Sequence, residues 1–137
     1  MKLAIVKIGK PATSEARTLA ERYLQRLKPF IPLETVEAKP DWLPKDGLLV
    51  TLEEKGKPLP SEALAKQLRK WMEDPGVKRV SFVIGGPYGL SPELVKRSDF
   101  SWSLSAGTLP SDLAWVLASE QLYRAFTILK GMPYHHA

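Results

Sequence analysis

The chain has 137 residues, of which 44% are apolar and 26% are charged, a composition typical of one globular domain. No run approaches the ~20 apolar residues of a membrane-spanning helix, and the first apolar run lacks the features of a signal peptide. The absence of cysteine excludes disulfide bonds, thiolate metal sites and a cysteine nucleophile. We therefore expect a single domain, residues 1–137, in the cytoplasm.

The net charge of +5 is unevenly distributed along the chain. Residues 1–70 contain 14 Lys and Arg against 9 Asp and Glu, whereas residues 71–137 contain 6 of each kind. A basic half beside a neutral half indicates a surface that faces a polyanion. Solubility is an equally good explanation for a surplus of five charges.

The chain opens with a strand and a helix. Residues 2–8 form an apolar run that ends at Gly9, which predicts a buried strand. From Ser14 to about Pro29, apolar residues recur every three or four positions, which predicts an amphipathic helix. The residues predicted on the solvent face of this helix are Arg17, Arg22 and Arg26.

The next segment predicts two strands and a second helix. Residues 33–38 and 48–52 have the composition of strands, and we expect the second strand to be closed by turn residues 53–58. Ser61 is expected to cap the following helix. The apolar stripe of that helix consists of Leu64, Leu68, Trp71 and Met72.

The second half of the chain continues this alternation. Residues 80–84 predict a strand that runs directly into the glycine-rich segment 85–89. Ser91 followed by proline is a strong helix start, and the alternating residues 100–106 predict a half-buried strand. Ser111 opens a last helix that extends to about Leu129. Alternating strands and helices predict an α/β fold with a largely parallel sheet.

The predicted last helix is apolar around nearly its whole circumference. Such a helix has to be covered on both sides, and the sheet of a small domain covers only one side. We therefore expect a second copy of the chain to cover the other side, which predicts a homodimer. The alternative is a central helix sandwiched within one monomer.

Three predicted strand ends indicate a ligand site. They are Leu52-Glu53, Gly85-Gly86 and residues 105–110, and ligands of open α/β sheets bind beyond the carboxyl ends of strands. The two glycines would let a ligand approach the backbone. The glycine-rich segment matches neither the dinucleotide fingerprint nor the phosphate-binding loop. An ordinary turn is the alternative at each segment taken alone.

The C-terminal segment contains both histidines of the chain, His135 and His136. Adjacent histidines point in different directions and chelate poorly, so we predict no metal site. Tyr134 follows a proline, and an exposed tyrosine can stack on a nucleobase, although a frayed terminus is the usual state of a tail. Glu120 and Arg124 are spaced for a helical ion pair.

Six motifs along the chain form a specific set in this order and spacing. They are Val83-Ile84-Gly85-Gly86-Pro87, Gly89-Leu90-Ser91, Trp102-Ser103-Leu104-Ser105, Thr108-Leu109-Pro110, Glu120-Gln121-Leu122-Tyr123-Arg124-Ala125 and Pro133-Tyr134-His135. The set resembles bacterial methyltransferases of the SPOUT class that act on N3 of a pseudouridine in large-subunit ribosomal RNA. The similarity extends from the first strand to the last residues.

This resemblance implies an α/β fold with a mostly parallel sheet flanked by helices and a C-terminal deep trefoil knot. It also implies a homodimer that binds S-adenosyl-L-methionine in the knot beside the subunit interface. The residues implied to contact this cofactor are Leu52, Glu53, Gly85, Gly86, Leu104, Ser105, Ala106, Gly107, Thr108, Leu109 and Pro110. The residues implied to lie near the target base are Arg124, Tyr134 and His135.

The mechanism expected from this resemblance is transfer of a methyl group to N3 of a pseudouridine in 23S rRNA of the assembled ribosome. His135 would accept the imide proton, Arg124 would stabilise the anionic base, and Tyr134 would stack on it. The residues expected to meet ribosomal phosphates are Arg17, Arg22 and Arg26. The alternatives are a non-catalytic RNA-binding or ribosome-binding module and a SPOUT methyltransferase that acts on tRNA.

Overall fold

A computed structural model describes residues 1–9 and 13–136. The helices and strands are β1 Lys2–Ile8, α1 Ser14–Leu27, β2 Leu33–Ala38, β3 Leu48–Pro58, α2 Ser61–Glu73, β4 Arg79–Ile84, α3 Pro92–Arg97, β5 Phe100–Ser103 and α4 Ser111–Leu129. The strands form one sheet in the order β2-β1-β4-β3-β5, and every ladder between them is parallel. The predicted α/β class is therefore confirmed.

The sheet is buried on both faces. On one face, alternating residues of β1 such as Leu3 and Ile5 belong to a large apolar cluster shared with α1, α2 and α4. On the other face, Val6 and Ile8 belong to a smaller cluster with Leu94 of α3. Because the carboxyl ends of parallel strands lie at one edge of a sheet, the loops after these strands converge there.

Two helix starts follow the sequence pattern. Thr13 precedes α1, and its hydroxyl accepts the backbone N–H of Ala16 at 3.1 Å. Ser91 caps α3 in the same way, accepting from Leu94 at 3.2 Å. A side-chain oxygen at this position satisfies one of the backbone N–H groups that a helix leaves without a partner.

The turn predicted at residues 53–58 is wrong, because β3 continues through it to Pro58. The pairing with β4 stops after Thr51, and a register shift separates two stretches of pairing with β5. Gly56 permits this close approach, since a Cβ there would lie 2.7 Å from the Ser101 hydroxyl. Leu52 and Glu53 therefore lie at an irregularity inside a strand and not at a strand end.

Other local predictions are also corrected. Ser61 is the first residue of α2, and its hydroxyl donates to Gln121 at 2.7 Å, while Pro60 occupies the capping position. Met72, predicted on the apolar stripe of α2, is 42% exposed. The strand predicted at residues 100–106 ends at Ser103, whose hydroxyl donates to the backbone oxygens of Glu54 and Ser105.

Helix α4 lies at the centre of the molecule and packs against α1, α2 and the sheet. The argument that only the sheet could cover this helix is therefore wrong. Most of the surface of α4 is covered within one chain, as in the alternative of a central helix sandwiched inside a monomer. Its large apolar side chains still at the surface are Leu113 and Leu117, which are 48% and 41% exposed. Within residues 1–9 and 13–136, no helix is long and apolar enough to span a membrane.

Candidate active site

A cleft of about 910 Å³ opens at the carboxyl edge of the sheet. Its walls are Leu52–Lys55, Ile84–Leu90, Leu104–Ser105 and Gly107–Asp112, with Val95 and Ala114. Of the residues implied to contact the cofactor, the cleft brings together Leu52, Glu53, Gly85, Gly86, Leu104, Ser105, Gly107, Thr108, Leu109 and Pro110. Ala106 is exposed and does not line the cleft.

Gly85 and Gly86 of the cleft pack closely against the protein's own backbone. A Cβ on Gly85 would lie 2.9 Å from the carbonyl carbon of Gly89, and one on Gly86 would lie 2.9 Å from the carbonyl oxygen of Ile8. The segment folds back as a tight turn in which Gly89 donates to the carbonyl of Gly86 at 2.9 Å. These positions need glycine for the chain's own packing, because a side chain would meet the turn or β1; that they also admit a ligand stays a prediction.

The carboxylate of Glu53 is held at one wall of the cleft by hydroxyl groups. Its Oε2 atom accepts from Thr51 and from Ser101, each at 2.7 Å. The Thr51 hydroxyl also lies 2.6 Å from that of Ser98. Ser101 of β5 therefore helps to orient an acidic group, whereas Ser103 donates to backbone carbonyls. Within the described chain, no hydrogen bond occupies Oε1 of Glu53.

The start of α4 also lines the cleft, and a buried lysine lies close enough to Asp112 to feel its charge. Asp112 lines the cleft and accepts its neighbour's backbone N–H at 2.9 Å. Lys7 of β1 is 1% exposed and donates from Nζ to the carbonyl of Ile8 at 2.9 Å. Burial lowers the pKa of Lys7, and the carboxylates of Asp112 and Glu37 partly offset this effect.

A second cluster surrounds the carboxylate of Glu120, near the C-terminal half of α4. Arg124 donates from its second terminal nitrogen to Glu120 at 2.8 Å and from Nε at 3.2 Å and 3.3 Å. The Tyr134 hydroxyl donates to the same carboxylate at 2.7 Å. The ion pair predicted from the spacing is therefore present, and the pKa of Arg124 is raised chiefly by its hydrogen bonds to Glu120.

Tyr134 is half-buried and anchored by its contacts, whereas the sequence suggested an exposed tyrosine. Its ring lies 4.8 Å from the Arg124 guanidinium carbon and 4.8 Å from the Tyr123 ring. Burial, followed by the hydrogen bond to Glu120, raises the pKa of Tyr134. The phenol therefore stays protonated as a donor, and its contacts suit an anchor for the tail better than a free stacking platform.

His135 is hydrogen-bonded through both ring nitrogens. Nδ1 lies 3.1 Å from a terminal nitrogen of Arg124, and Nε2 lies 2.7 Å from Oε1 of Glu62. Glu62 is in the first turn of α2, 73 residues away in sequence. The sequence reading missed it, because an acidic residue in the first turn of a helix is explained by the helix dipole alone.

The three arginines predicted on the solvent face of α1 do not share one environment. Arg22 and Arg26 are exposed, and Arg26 lies 6.0 Å above the Tyr23 ring. Arg17 is instead paired with Glu37 of β2 and with Glu21. Five residues of helix place Arg17 about 140° around the axis from Arg22, so it faces the sheet edge.

The exposed basic side of α1 adjoins the cluster around Glu120. The Tyr23 ring is 6.3 Å from that of Tyr123, which in turn contacts Tyr134 at 4.8 Å. The basic residue at one end of this aromatic chain is Arg26, and the one at the other end is Arg124. These aromatic contacts therefore connect the exposed basic side of α1 to the cluster that contains Arg124.

Within one chain, the cleft and the histidine cluster are separate. Ala114 lines the cleft, whereas Arg124 lies ten residues further along the same helix, a distance of about 15 Å along the axis. Arg124, Tyr134 and His135 are not among the residues that line the cleft. One copy of the chain therefore holds the two halves of the expected site apart.

Comparison with known proteins identifies the family. Residues 40–135 match the family model described as "Predicted SPOUT methyltransferase". The curated protein "Ribosomal RNA large subunit methyltransferase H" of Christiangramia forsetii is 39% identical, and the match covers 99% of each chain. Its namesake from Polynucleobacter asymbioticus is 37% identical, and the match covers 98% of this chain and 99% of that one.

Solved structures share the fold at low sequence identity. A probable methylase family protein from Haemophilus influenzae has a TM-score of 0.64 at 14% identity, over 98% of this chain and 70% of that one. The Legionella pneumophila methyltransferase Lpg2936, in complex with SAM, has a TM-score of 0.50 at 16% identity, over 91% of this chain and 66% of that one. The chain belongs to the ribosomal RNA large subunit methyltransferase H family of SPOUT methyltransferases.

Proposed function

We propose that this chain transfers a methyl group from S-adenosylmethionine to N3 of a pseudouridine in 23S rRNA of the assembled ribosome. The observation that carries the proposal is 39% identity to a ribosomal RNA large subunit methyltransferase H across 99% of both chains. The N3 position and the pseudouridine follow from the family resemblance. The cleft and the cluster around Glu120 supply the two kinds of chemistry that the reaction needs.

The residues of the cleft fit S-adenosylmethionine. The volume of about 910 Å³ lies in the ~300–1,000 Å³ range of small-molecule sites. The carboxylates of Glu53 and Asp112 suit a ligand with sulfonium and ammonium charges, and Leu52 and Leu104 provide apolar surface. The backbone N–H groups of Thr108 and Leu109, which bond to no other described residue, can bind its polar atoms. When bound, this cofactor supplies a methyl group already activated on sulfur.

The chain's own residues prepare the nucleophile. Orientation of the two reactants can contribute about 7–11 kcal/mol of the barrier reduction. His135 is the best candidate to accept the imide proton, because an imidazole ring nitrogen can accept a proton whereas Tyr134 stays protonated. Arg124, held by Glu120, can balance the charge of the deprotonated base. Tyr134 anchors this group through Glu120.

A homodimer would join the cleft to this cluster. Leu113, Leu117, Glu120 and Arg124 follow one stripe of α4, since they are spaced by three or four residues. The stripe begins beside the cleft with the exposed Leu113 and Leu117 and ends at Arg124. Two copies packed antiparallel along it would bury both leucines and bring Arg124 and His135 of one copy to the cleft of the other.

Two further parts of the proposal are contact between the arginines of α1 and ribosomal RNA, and a trefoil knot in the C-terminal part of the fold. Arg22 and Arg26 would contact ribosomal phosphates on the side of the molecule that carries Arg124. Arg17, already paired with two carboxylates, would contribute less to phosphate binding than its place on the predicted basic face of α1 suggests. The trefoil knot stays a prediction, supported by the convergence of segments 84–90 and 104–112 on one cleft.

The test is transfer of labelled methyl from S-adenosylmethionine to ribosomes, free ribosomal subunits and tRNA from a strain that lacks the activity. We expect label in 23S rRNA of the ribosome, recovered as N3-methylated pseudouridine after digestion. Label confined to tRNA would favour the other SPOUT substrate and contradict the proposal. Absence of both transfer and calorimetric binding of the cofactor would favour a non-catalytic RNA-binding module.

A further inference from the structure

The two hydrogen bonds of His135 define which ring nitrogen carries the proton. A guanidinium can only donate, so Nδ1 of His135 accepts from Arg124 at 3.1 Å. A carboxylate can only accept, so Nε2 donates its proton to Glu62 at 2.7 Å. The imidazole is therefore the neutral Nε2–H tautomer, with its lone pair on Nδ1 beside the Arg124 N–H.

Arg124 and Nδ1 of His135 are hydrogen-bonded to each other, and once that contact opens they present a donor and an acceptor side by side. Nδ1 of His135 accepts, and the neighbouring N–H of Arg124 donates. The imide edge of a uracil-type base presents the complementary pair, an N–H next to a carbonyl oxygen. The Watson–Crick edge of cytosine presents an unprotonated ring nitrogen next to an amino group, which is the opposite polarity. The acceptor on His135 and the donor on Arg124 therefore favour the imide edge of a uracil-type base over the edge of cytosine.

We propose that Glu62 is a positioning residue that sets this polarity. By accepting the Nε2 proton, Glu62 keeps the lone pair on Nδ1, where it can take the N3 proton of an imide. If the proton moved to Nδ1, the ring would present a donor to the N3–H group and could no longer act as its base. The inference rests on the proposed function, since it assigns a substrate edge to the same site.

The proton transfer itself is balanced within the cluster. The N3–H bond breaks, a bond forms between that proton and Nδ1, and the electron pair stays on the base, shared by N3 and its two carbonyl oxygens. Arg124 stays bound to Glu120 when its contact with Nδ1 is released, so that N–H can turn to a carbonyl oxygen. The carboxylate of Glu62 faces the imidazolium that results.

The first test reads the tautomer directly, without substrate. Replacing His136 by Asn leaves His135 as the sole imidazole of the chain, so its ¹⁵N spectrum is unambiguous. Arg124→Met is added to remove the other contact of the ring. At alkaline pH we expect the Nε2–H tautomer of His135 in the protein that carries His136→Asn and Arg124→Met. Adding Glu62→Ala to that protein should give a mixture of the two tautomers. An unchanged spectrum after Glu62→Ala would overturn the proposal.

The second test is a double-mutant cycle of single-turnover methyl transfer to ribosomes. In otherwise native protein, we expect Glu62→Ala to lower the rate about tenfold, a fraction of the ~10²–10⁴-fold that general-base catalysis contributes, because His135 itself is retained. Glu62→Gln, whose side-chain oxygen still accepts, should lose about threefold or less. In a His135→Ala background, Glu62→Ala should have no further effect on the rate, because Glu62 acts through His135.

Controls separate this inference from a structural role and from the proposed function. Glu93→Ala removes the first-turn carboxylate of α3 and should leave the rate unchanged. Additive losses from Glu62→Ala and His135→Ala would overturn the proposal and assign Glu62 to anchoring the tail. If native protein transfers no methyl to ribosomes, the proposed function fails, whereas the ¹⁵N spectra still decide whether Glu62 sets the tautomer.

Discussion

Tyr134 donates its phenolic hydrogen to Glu120 at 2.7 Å, and the acceptor oxygen is the one that Arg124 contacts at 2.8 Å. The Glu120 side chain is only 14% exposed, and Gln121 also donates to it at 3.1 Å, so three side chains supply the hydrogen bonds of this carboxylate. The tyrosine and the histidine that follows it are thereby docked against α4. A C-terminal segment that would ordinarily fray is thus an ordered part of the candidate site.

Tyr134→Phe should destabilise the protein by about 1–2 kcal/mol, because it removes one donor from a poorly exposed carboxylate. The pKa of Tyr134 is raised in the folded protein, so the bond's contribution is complete below the ordinary tyrosine pKa and declines as pH rises beyond it. Urea unfolding should therefore give a constant difference between variant and parent from pH 7 to 9. A difference that vanished at pH 7 would contradict this account.

Glu53→Gln should weaken binding of S-adenosylmethionine about tenfold, since it removes a charge held in place by Thr51 and Ser101. Calorimetry measures the dissociation constant. The matched control is Glu73→Gln, which removes the same charge from an exposed residue at the end of α2 that does not line the cleft. Equal weakening by the two variants would show that only net charge matters and would remove Glu53 from the site.

Lys7→Met should raise the free energy of unfolding by about 1 kcal/mol at pH 7, because it replaces a desolvated ammonium by an apolar side chain. Burial lowers the pKa of Lys7 below its unfolded value. The unfavourable contribution is therefore complete below the folded pKa and is lost as pH rises to the unfolded value. The advantage of the variant should shrink toward pH 10, as measured by urea unfolding.

Lys66→Met is the control for this experiment, because Lys66 is exposed on α2 and its replacement should be close to neutral. A loss of stability in Lys7→Met at every pH would mean that the attraction of Asp112 and Glu37 outweighs desolvation.

Arg22→Glu combined with Arg26→Glu should weaken binding to ribosomes at least tenfold and reduce its salt dependence, because both guanidinium groups are exposed. Cofactor affinity should not change, since neither residue lines the cleft. Arg17→Glu should affect ribosome binding less and lower stability more, because it places a carboxylate against Glu37 and Glu21. If Arg17→Glu, Arg22→Glu and Arg26→Glu, each made alone, weakened ribosome binding equally, the division of α1 into a paired arginine and two exposed ones would be contradicted.

Local signals predicted much of the fold. The apolar run of β1, the period of α1 and the Ser91 cap each depend on residues close together in sequence. The Glu120–Arg124 pair follows from helical spacing in the same way. The family motifs also placed the segments that form the cleft, because such motifs record a whole site and not a single element.

The errors arise where distant segments meet. The extension of β3 depends on Gly56 lying against Ser101, and the pairing of Arg17 depends on Glu37 in the neighbouring strand. Likewise, Glu62 meets His135 only after α2 and the tail have packed beside α4. None of these contacts leaves a periodic signal in the sequence, so only the folded chain reveals them.

The most direct test of the proposed site is complementation between two inactive variants. His135→Ala keeps the cleft, whereas Thr108→Trp fills the cleft and keeps the histidine cluster. We expect each variant alone to be inactive and an unfolded-and-refolded equal mixture to recover roughly a quarter of parental methyl transfer, because half of randomly mixed dimers are mixed and each has one intact site. No recovery in a mixture shown to contain mixed dimers would contradict a site built from the cleft of one copy and the Arg124–His135 pair of the other.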